Sequence, residues 1–469
     1  MSDTKSEYKF RVVIAGCGIG GLALAAFISR FTKENSDGRI TVDIYEAKPE
    51  VSTIGAGVAI WKRSWQVLQD LGFEAEFIKK GFKVPKDGEC NSESLRVTIL
   101  KAYSVCFDQP VAQFFASPTN RLKVTISTAM SVPLIFHYAL LSLQIDGPVG
   151  LHRPTLLEIF ESKLSADCKI HTSKRLERYE VSNNGSVNVV FSDDSVVAAD
   201  ILVGADGIHS ATRGTMFKSI GQRDERYLRP TFTGTIAYRS GIPKDKFVAA
   251  FPNHSAAEKA QVHIVSQPLG PWIDITCYNS EPELEGKLYD GPMVKEVATK
   301  DVVGLCEDWE PDLLSLIKSV ESYNAWAIHV VNPLPRYVSG VVVLIGDAAH
   351  AMTPYQGIGG GQAIEDAHIL GRILSHTLTR KDNISSILKL YEALRLSPTQ
   401  EAAKKSRNNG LLYQFNHPDF PFSDPNHPQR DELEAIGNAI GRSFGWLADG
   451  DAEADWVEAE AKLKEIADH

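Results

Sequence analysis

A carboxylate, a proline and a run of glycines stand together between Val341 and Ala367, in VVVLIGDAAHAMTPYQGIGGGQAIEDA. Val341 to Ile345 reads as a short buried strand. Asp347 follows it, then Pro354 in a loop, then Gly357, Gly359, Gly360 and Gly361, and a helical pattern from about Gln362. This layout suits ligand binding. The carboxylate accepts hydrogen bonds from ribose-like hydroxyls, and the glycines let backbone approach a flat ring. The helix start offers N–H groups and a positive dipole end to a developing anion. His350 is a second candidate, for proton movement, set against a packing role as a buried histidine. Alone, the stretch also fits an ordinary strand-to-helix connection.

The first sixty residues narrow the choice. A strand from Phe10 to Ala15 runs into Gly16-Cys17-Gly18-Ile19-Gly20-Gly21, which is G-x-G-x-x-G at Gly16, Gly18 and Gly21. An apolar-periodic helix follows, and a second strand, Ile40 to Tyr45, ends in Glu46. This is the dinucleotide fingerprint in its βαβ setting. Gly16 makes the tight turn, Gly18 admits the pyrophosphate and Gly21 lets helix and strand pack closely. Glu46 accepts the ribose hydroxyls, and its charge suits FAD or NAD better than a 2′-phosphate.

Composition sets the frame. The chain has 469 residues, 43% hydrophobic and 23% charged, enough for about two or three domains. A net charge of −10 suggests neither a nucleic-acid partner nor a polybasic membrane contact. Cys17, Cys90, Cys106, Cys168, Cys277 and Cys306 lack CxxC spacing, so they read as reduced thiols rather than a disulfide frame or metal site. The N-terminus MSDTKSEYKF is unlike a secretory signal, and EIADH carries no prenylation or retention signal. A cytoplasmic location is expected.

The segments GCGIGG, GAGVAI, HRPTLLEIF, VGADGIHSATR and GDAAHAMTPYQGIGGGQAIEDA occur in this order between Arg11 and about Arg407. Together they resemble the FAD-dependent aromatic hydroxylases, the para-hydroxybenzoate hydroxylase-like flavin monooxygenases. GAGVAIWKR with PYQGIGGGQAIEDA is similar to the salicylate hydroxylase-like fungal branch. The resemblance implies an α/β fold, with a Rossmann-like FAD-binding domain of the glutathione-reductase-like type interleaved with a mixed-sheet substrate domain and C-terminal helices. It implies FAD as cofactor and NADPH or NADH as co-substrate. The implied reaction is hydroxylation of a phenolic ring by O2 through a flavin C4a-hydroperoxide, with a salicylate-like acid favoured. An epoxidase or reductase on the same scaffold is the alternative. By the same resemblance Gly57 and Arg153 border the flavin or its phosphates. Asp206 and Gly207 serve the ribityl chain or pyrophosphate indirectly, Asp347 fits the ribityl chain, and Pro354 crowds the reacting edge. Gly357, Gly359 and Gly360 support the flavin ring. One departure is visible: Val330 and Val331 stand where family members carry an Asp-Arg pair.

The implied organisation is discontinuous. Residues 1–85, 150–225 and 335–410 form the FAD-binding domain, and 226–334 the substrate-binding sheet domain. Residues 411–469 form a helical tail, read as a cap or homodimer contact. Residues 86–149 are an atypical insertion or part of the substrate domain. Within them, Val97 to Ile145 is nearly free of charge and ends in SVPLIFHYALLSLQ. Three readings stay open there. One is a membrane helix, although the apolar run is short of ~20 residues. The others are a buried insertion and a translated unspliced intron, which would leave an inactive FAD-binding product. From Pro230 to Val331 the chain reads mostly as strands. Alternation in Thr233-Gly234-Thr235-Ile236-Ala237-Tyr238-Arg239 sends Tyr238 and Arg239 to opposite faces. Arg239 is the candidate clamp for a small aromatic substrate's carboxylate or phenolate, set against a solvated strand charge. Tyr238 is the fallback if the register slips by one.

Overall fold

A computed structural model of the protein describes residues 8–35, 38–51, 57–80, 95–99, 102–103, 123–127, 137–138, 140–145, 149–183, 185–243, 264–269, 272–305, 311–424, 429–448 and 452–467. Its centre is a six-stranded sheet. Cys168–His171, Arg39–Tyr45, Tyr8–Ala15, Ile201–Gly204 and Val342–Leu344 run parallel in that order, and Val338–Ser339 closes one edge antiparallel. Parallel strands covered on both faces need apolar side chains in both directions. This is why RVVIA, ILVG and VVL show no alternation, and Val12, Val13, Ile14, Leu202, Val203, Val342 and Val343 are all buried. The helices Ile19–Asn35 and Gly359–Ser375 pack together against this sheet.

A second, antiparallel sheet has the order Ile264–Leu269, Trp272–Ser280, Thr231–Pro243, Ser322–Val330, Val294–Ala298. The short strands Gly57–Ile60 and Val149–His152 pair antiparallel and set Gly57 opposite His152. The chain between them is thus an excursion from a closed ladder. In that excursion Leu95–Ile99, Leu140–Ile145 and Lys123–Ser127 form a three-stranded sheet. The described end of the apolar stretch is therefore strand, not membrane helix. Most of Val97–Ile145 lies outside the described residues. Among the described residues no helix is long and apolar enough to cross a membrane.

Two helix boundaries differ from the sequence reading. The helix expected from about Gln362 begins at Gly359, so three glycines form its first turn. They are there because the neighbours are close: a Cβ on Gly360 would lie 2.7 Å from Val58 Cγ1, and one on Gly361 2.6 Å from Ser64 Oγ. The stretches that read from the sequence as separate helices, Ile384 to Arg395 and Glu401 to Leu412, form one helix, Ile384–Tyr413, with Pro398 inside it. Tertiary pairing overrides the local signal here.

That pairing is ionic and buried. Arg395, 2% exposed, sends Nε to Asp366 Oδ1 (2.7 Å), Nη1 to Glu365 Oε2 (3.2 Å) and Nη2 to Gln362 Oε1 (2.9 Å). Asp366 Oδ2 accepts from the Gly346 N–H (2.9 Å) and from His350 Nε2 (2.6 Å). Glu365 also receives Arg63 Nε (3.0 Å) and Ser64 Oγ (2.9 Å), and Arg63 reaches Asp455 of the last helix, Ala452–Ala467. Burial opposes the Asp366 charge, yet His350 and Arg395 together hold its carboxyl well below the usual range. Removing the cation takes a charged partner from each of two buried carboxylates. Arg395→Met should therefore destabilise the fold by about 3–5 kcal/mol, the cost of breaking a buried ion pair from one side. Chemical denaturation checks this; a loss under about 1 kcal/mol would mean the pair is screened as a surface pair is.

Candidate active site

The first strand ends in a turn that only glycine can make. Gly16 has φ +104°, and a Cβ there would lie 2.3 Å from the Ala205 carbonyl oxygen. A Cβ on Gly21 would meet the Gly16 carbonyl oxygen at 2.1 Å. At Gly18 the nearest atom to an added Cβ is Arg153 Nη2 at 4.0 Å, so this residue faces open space. Two of the glycines therefore serve the protein's own packing, and the third borders a cavity. Glu46 braces the turn: its two carboxylate oxygens accept from the backbone N–H groups of Cys17 and Lys48, each at 3.0 Å.

The cavity holds about 520 Å³ and runs from Gly16–Gly18 past Glu46 to Arg153 and Asp206–Gly207. Lys48, Arg153, Lys174 and Arg175 line it against Glu46 and Asp206. That is an excess of positive charge in a chain whose net charge is −10. The helix Ile19–Asn35 begins at this cavity with no acidic residue in its first turn. A dinucleotide pyrophosphate fits both features. Asp206 itself is committed to the protein. Its oxygens accept from Ser210 Oγ (2.5 Å), the Thr212 N–H (2.9 Å) and Thr212 Oγ1 (3.0 Å), which secures the start of the helix Ala211–Ser219. Its turn, with Gly207 at φ +77°, presents backbone to the cavity.

Asp347 opens the four-residue helix Asp347–His350. Its side chain is accessible yet surrounded by protein, as at the bottom of a cleft. Burial pushes its carboxyl up, and His350 and Arg153 pull part of the way back. Arg153 answers in kind: burial lowers its guanidinium, and Asp347 and Glu46 raise it. The arginine of the helix Arg153–Ser162 thus sits between the two candidate cofactor carboxylates. His350, by contrast, is buried against Asp366, and its Nδ1 has no partner. An ionised carboxylate only accepts, so Nε2 carries the proton. The structure makes this histidine part of the framework rather than of the cavity.

The glycine stretch closes over the strand Gly57–Ile60. A Cβ on Gly357, at φ +64°, would lie 3.0 Å from Ala59 Cβ, whereas Gly359 meets nothing closer than Met352 Cγ at 3.9 Å. Pro354 is exposed, and its carbonyl receives the Gly357 N–H at 3.0 Å. Next to it, Tyr355 OH donates to Thr235 Oγ1 of the second sheet (3.4 Å), and its ring lies 5.4 Å from that of Tyr278. This contact tells the faces apart. Thr235, Ala237 and Arg239, opposite Ser280, Tyr278 and Thr276, share the face that meets Tyr355. Tyr238, opposite buried Cys277 and Ala325, belongs to the other face. Expected alternation holds, and it separates the fallback from the primary candidate.

Sequence reasoning missed Arg213, which is fully buried. It donates to the carbonyls of Tyr227 (3.1 Å), Ala348 (2.9 Å) and Ile208 (2.7 Å), tying the Asp206 turn to the Asp347 helix. Burial lowers its guanidinium to about 10, with Asp206 opposing. It also missed Glu365 and Asp366. Two adjacent acids inside an apolar helix were the available signal. Arg63, just after the strand Gly57–Ile60, is engaged by Glu365 and Asp455. Among the described residues no cluster of His, Cys, Asp and Glu could hold a metal ion.

An FAD-binding-domain family model matches residues 310–406, which contain Asp347 and the glycine stretch. A salicylate hydroxylase of Pseudomonas putida is 28% identical over 468 residues, covering 97% of this chain and 95% of its own. A 6-methylsalicylate 1-monooxygenase of Aspergillus terreus is 28% identical over 415 residues, covering 86% of this chain and 83% of its own. A solved salicylate hydroxylase substrate complex superposes with a TM-score of 0.68 at 25% identity, over 97% of this chain and 98% of that one. With the glycine turn, the basic cavity and the Asp347 cleft, these likenesses lead to one conclusion: the chain is an FAD-binding flavin monooxygenase similar to the FAD-dependent aromatic hydroxylases.

Proposed function

We propose that the enzyme consumes NADPH or NADH and O2 to hydroxylate a phenolic aromatic acid of the salicylate class. Both curated relatives reported above act, by name, on salicylates. The observation that carries the reading is the place of Arg239, on the sheet face that meets Tyr355 beside the glycine stretch. A phenolic acid brings a carboxylate and a hydroxyl to one ring edge, and a guanidinium fork matches that edge in bidentate fashion.

FAD fits the cradle, held by Gly16, Gly18 and Gly21, by Glu46, Gly57 and Arg153, by the Asp206–Gly207 backbone and by Asp347 with Gly357, Gly359 and Gly360. When bound, it accepts a hydride from the nicotinamide and supplies an electrophilic oxygen to the ring. The chain supplies the setting. The first turn of the Gly359–Ser375 helix offers N–H groups to negative charge on the flavin. Pro354 narrows the reacting edge, and the second sheet excludes water above it. Arg239 fixes the ring and stabilises the phenolate, which makes the adjacent carbon nucleophilic.

Two predictions follow from these roles. Arg239→Ala should keep FAD and weaken substrate-stimulated flavin reduction by about 2–3 kcal/mol, a lost charge-assisted hydrogen bond. Its remaining turnover should release hydrogen peroxide rather than hydroxylated acid. The ratio of NAD(P)H consumed to product formed measures this, and wild-type affinity with wild-type coupling would place the clamp elsewhere. Asp347 trades stability for binding. A carboxyl raised on folding favours the folded state fully below the ordinary carboxylate range, and that contribution is lost as pH rises through the raised value. Asp347→Asn should therefore raise the melting temperature of FAD-free protein at neutral pH, with the gain fading toward about pH 4, while weakening FAD binding. An equal gain at every pH would contradict the assignment.

A further inference from the structure

The strand Ser322–Val330 alternates strictly through its middle. Tyr323, Ala325 and Ala327 are buried, and Tyr323 OH donates to the Ile317 carbonyl of the helix Pro311–Lys318. That face is covered. The other face carries Asn324 and Trp326, in register with Arg239 and Ala237. Trp326 is 37% exposed, the one aromatic among the large exposed apolar side chains of the described residues, and its register partner Val294 is 39% exposed. An indole left in water beside an exposed valine is an uncompensated apolar surface. Its position is specific. Trp326 lines the same cavity as Gly16, Gly18, Arg153 and His209, although it belongs to the second sheet and they do not.

We infer that Trp326 is a cofactor-binding residue: the second sheet closes the dinucleotide cavity by laying this indole on bound FAD. Apart from Trp326 the lining includes glycine backbone, charged side chains that hold phosphates and hydroxyls, and the rings of Tyr45 and His209, but no indole platform. Trp326 supplies one, with a flat apolar face suited to the dinucleotide's ring systems and a single N–H at its edge. Its strand pairs with the strand of Arg239, so a substrate that orders the sheet face around Arg239 also steadies the indole. The inference rests on FAD occupying this cavity.

The test uses the full chain stripped of FAD. Being half in solvent, Trp326 can be changed without opening a core, so Trp326→Ala and Trp326→Phe should melt like the wild type. FAD titration of Trp326→Ala should show a Kd raised roughly tenfold, the scale of one lost stacking contact. Trp326→Phe should recover most of the affinity. FAD should quench less indole emission in both variants than in wild type, because the lost emitter lies against the flavin nucleotide. An unchanged Kd and unchanged quenching in Trp326→Ala, in a titration where wild type binds FAD, would overturn the role of Trp326 and leave the cofactor assignment standing. Wild-type protein that takes up no FAD would overturn both.

Discussion

The buried guanidinium of Arg395 is the contact on which the cofactor side of the molecule depends. It stands between Asp366 and Glu365, both inside the helix Gly359–Ser375. Three charged groups this deep are expensive to desolvate, and they hold only because nearly every oxygen has a donor. The same carboxylate that takes Arg395 on one oxygen takes Gly346 N–H and His350 on the other. The geometry of the strand end carrying Asp347 is therefore fixed from behind by a charge network, not by the loop's own preferences. Arg213 does the equivalent for the Asp206 turn with carbonyl acceptors alone. Two buried arginines thus hold the two turns that border the candidate cofactor site.

With the back of the cradle rigid, the front can afford poorly compensated charge. Asp347 and Arg153 face each other across accessible space, each moved by burial toward its neutral form and each partly restored by the other. Such mutual perturbation in a cleft sets the candidate site apart from the fully paired network behind it. The last helix reaches the same framework through Asp455 and Arg63, so the tail read from sequence as a cap is coupled to the glycine helix. The second sheet joins from the other side, through Tyr355 and Thr235.

Much of this was legible in the sequence, for physical reasons that differ by residue. Gly16 and Gly21 were readable because a backbone clash admits only glycine there, and the flanking apolar runs fixed their strand and helix. The opposite facing of Tyr238 and Arg239 followed from strand periodicity alone. Which face met the cofactor side did not, because that depends on Tyr355 touching Thr235 far along the chain. The glycines at Gly360 and Gly361 looked like a loop; they are a helix turn made tight by Val58 and Ser64, neighbours that no local pattern reveals. Asp206 read as an indirect contributor to the cofactor site; that its oxygens secure a helix start depends on Ser210 and Thr212. Asp366, Glu365 and Arg395 stayed hidden because an ion pair between distant segments leaves no periodic trace, and Arg213 because its acceptors are backbone carbonyls brought together by the fold. Pro398 argued for a break that the surrounding contacts override.

The central claim is that this chain inserts one atom of dioxygen into a phenolic acid held beside FAD. The most direct measurement is turnover of salicylate by purified holoenzyme with NADH or NADPH under isotopically heavy dioxygen, followed by mass spectrometry of the aromatic product. The account predicts a hydroxylated product carrying one heavy oxygen atom, formed only when FAD and the nicotinamide are both present. A product whose new oxygen comes from water, or an FAD-loaded enzyme that oxidises NAD(P)H with salicylates and other phenolic acids yet never hydroxylates one, would contradict it.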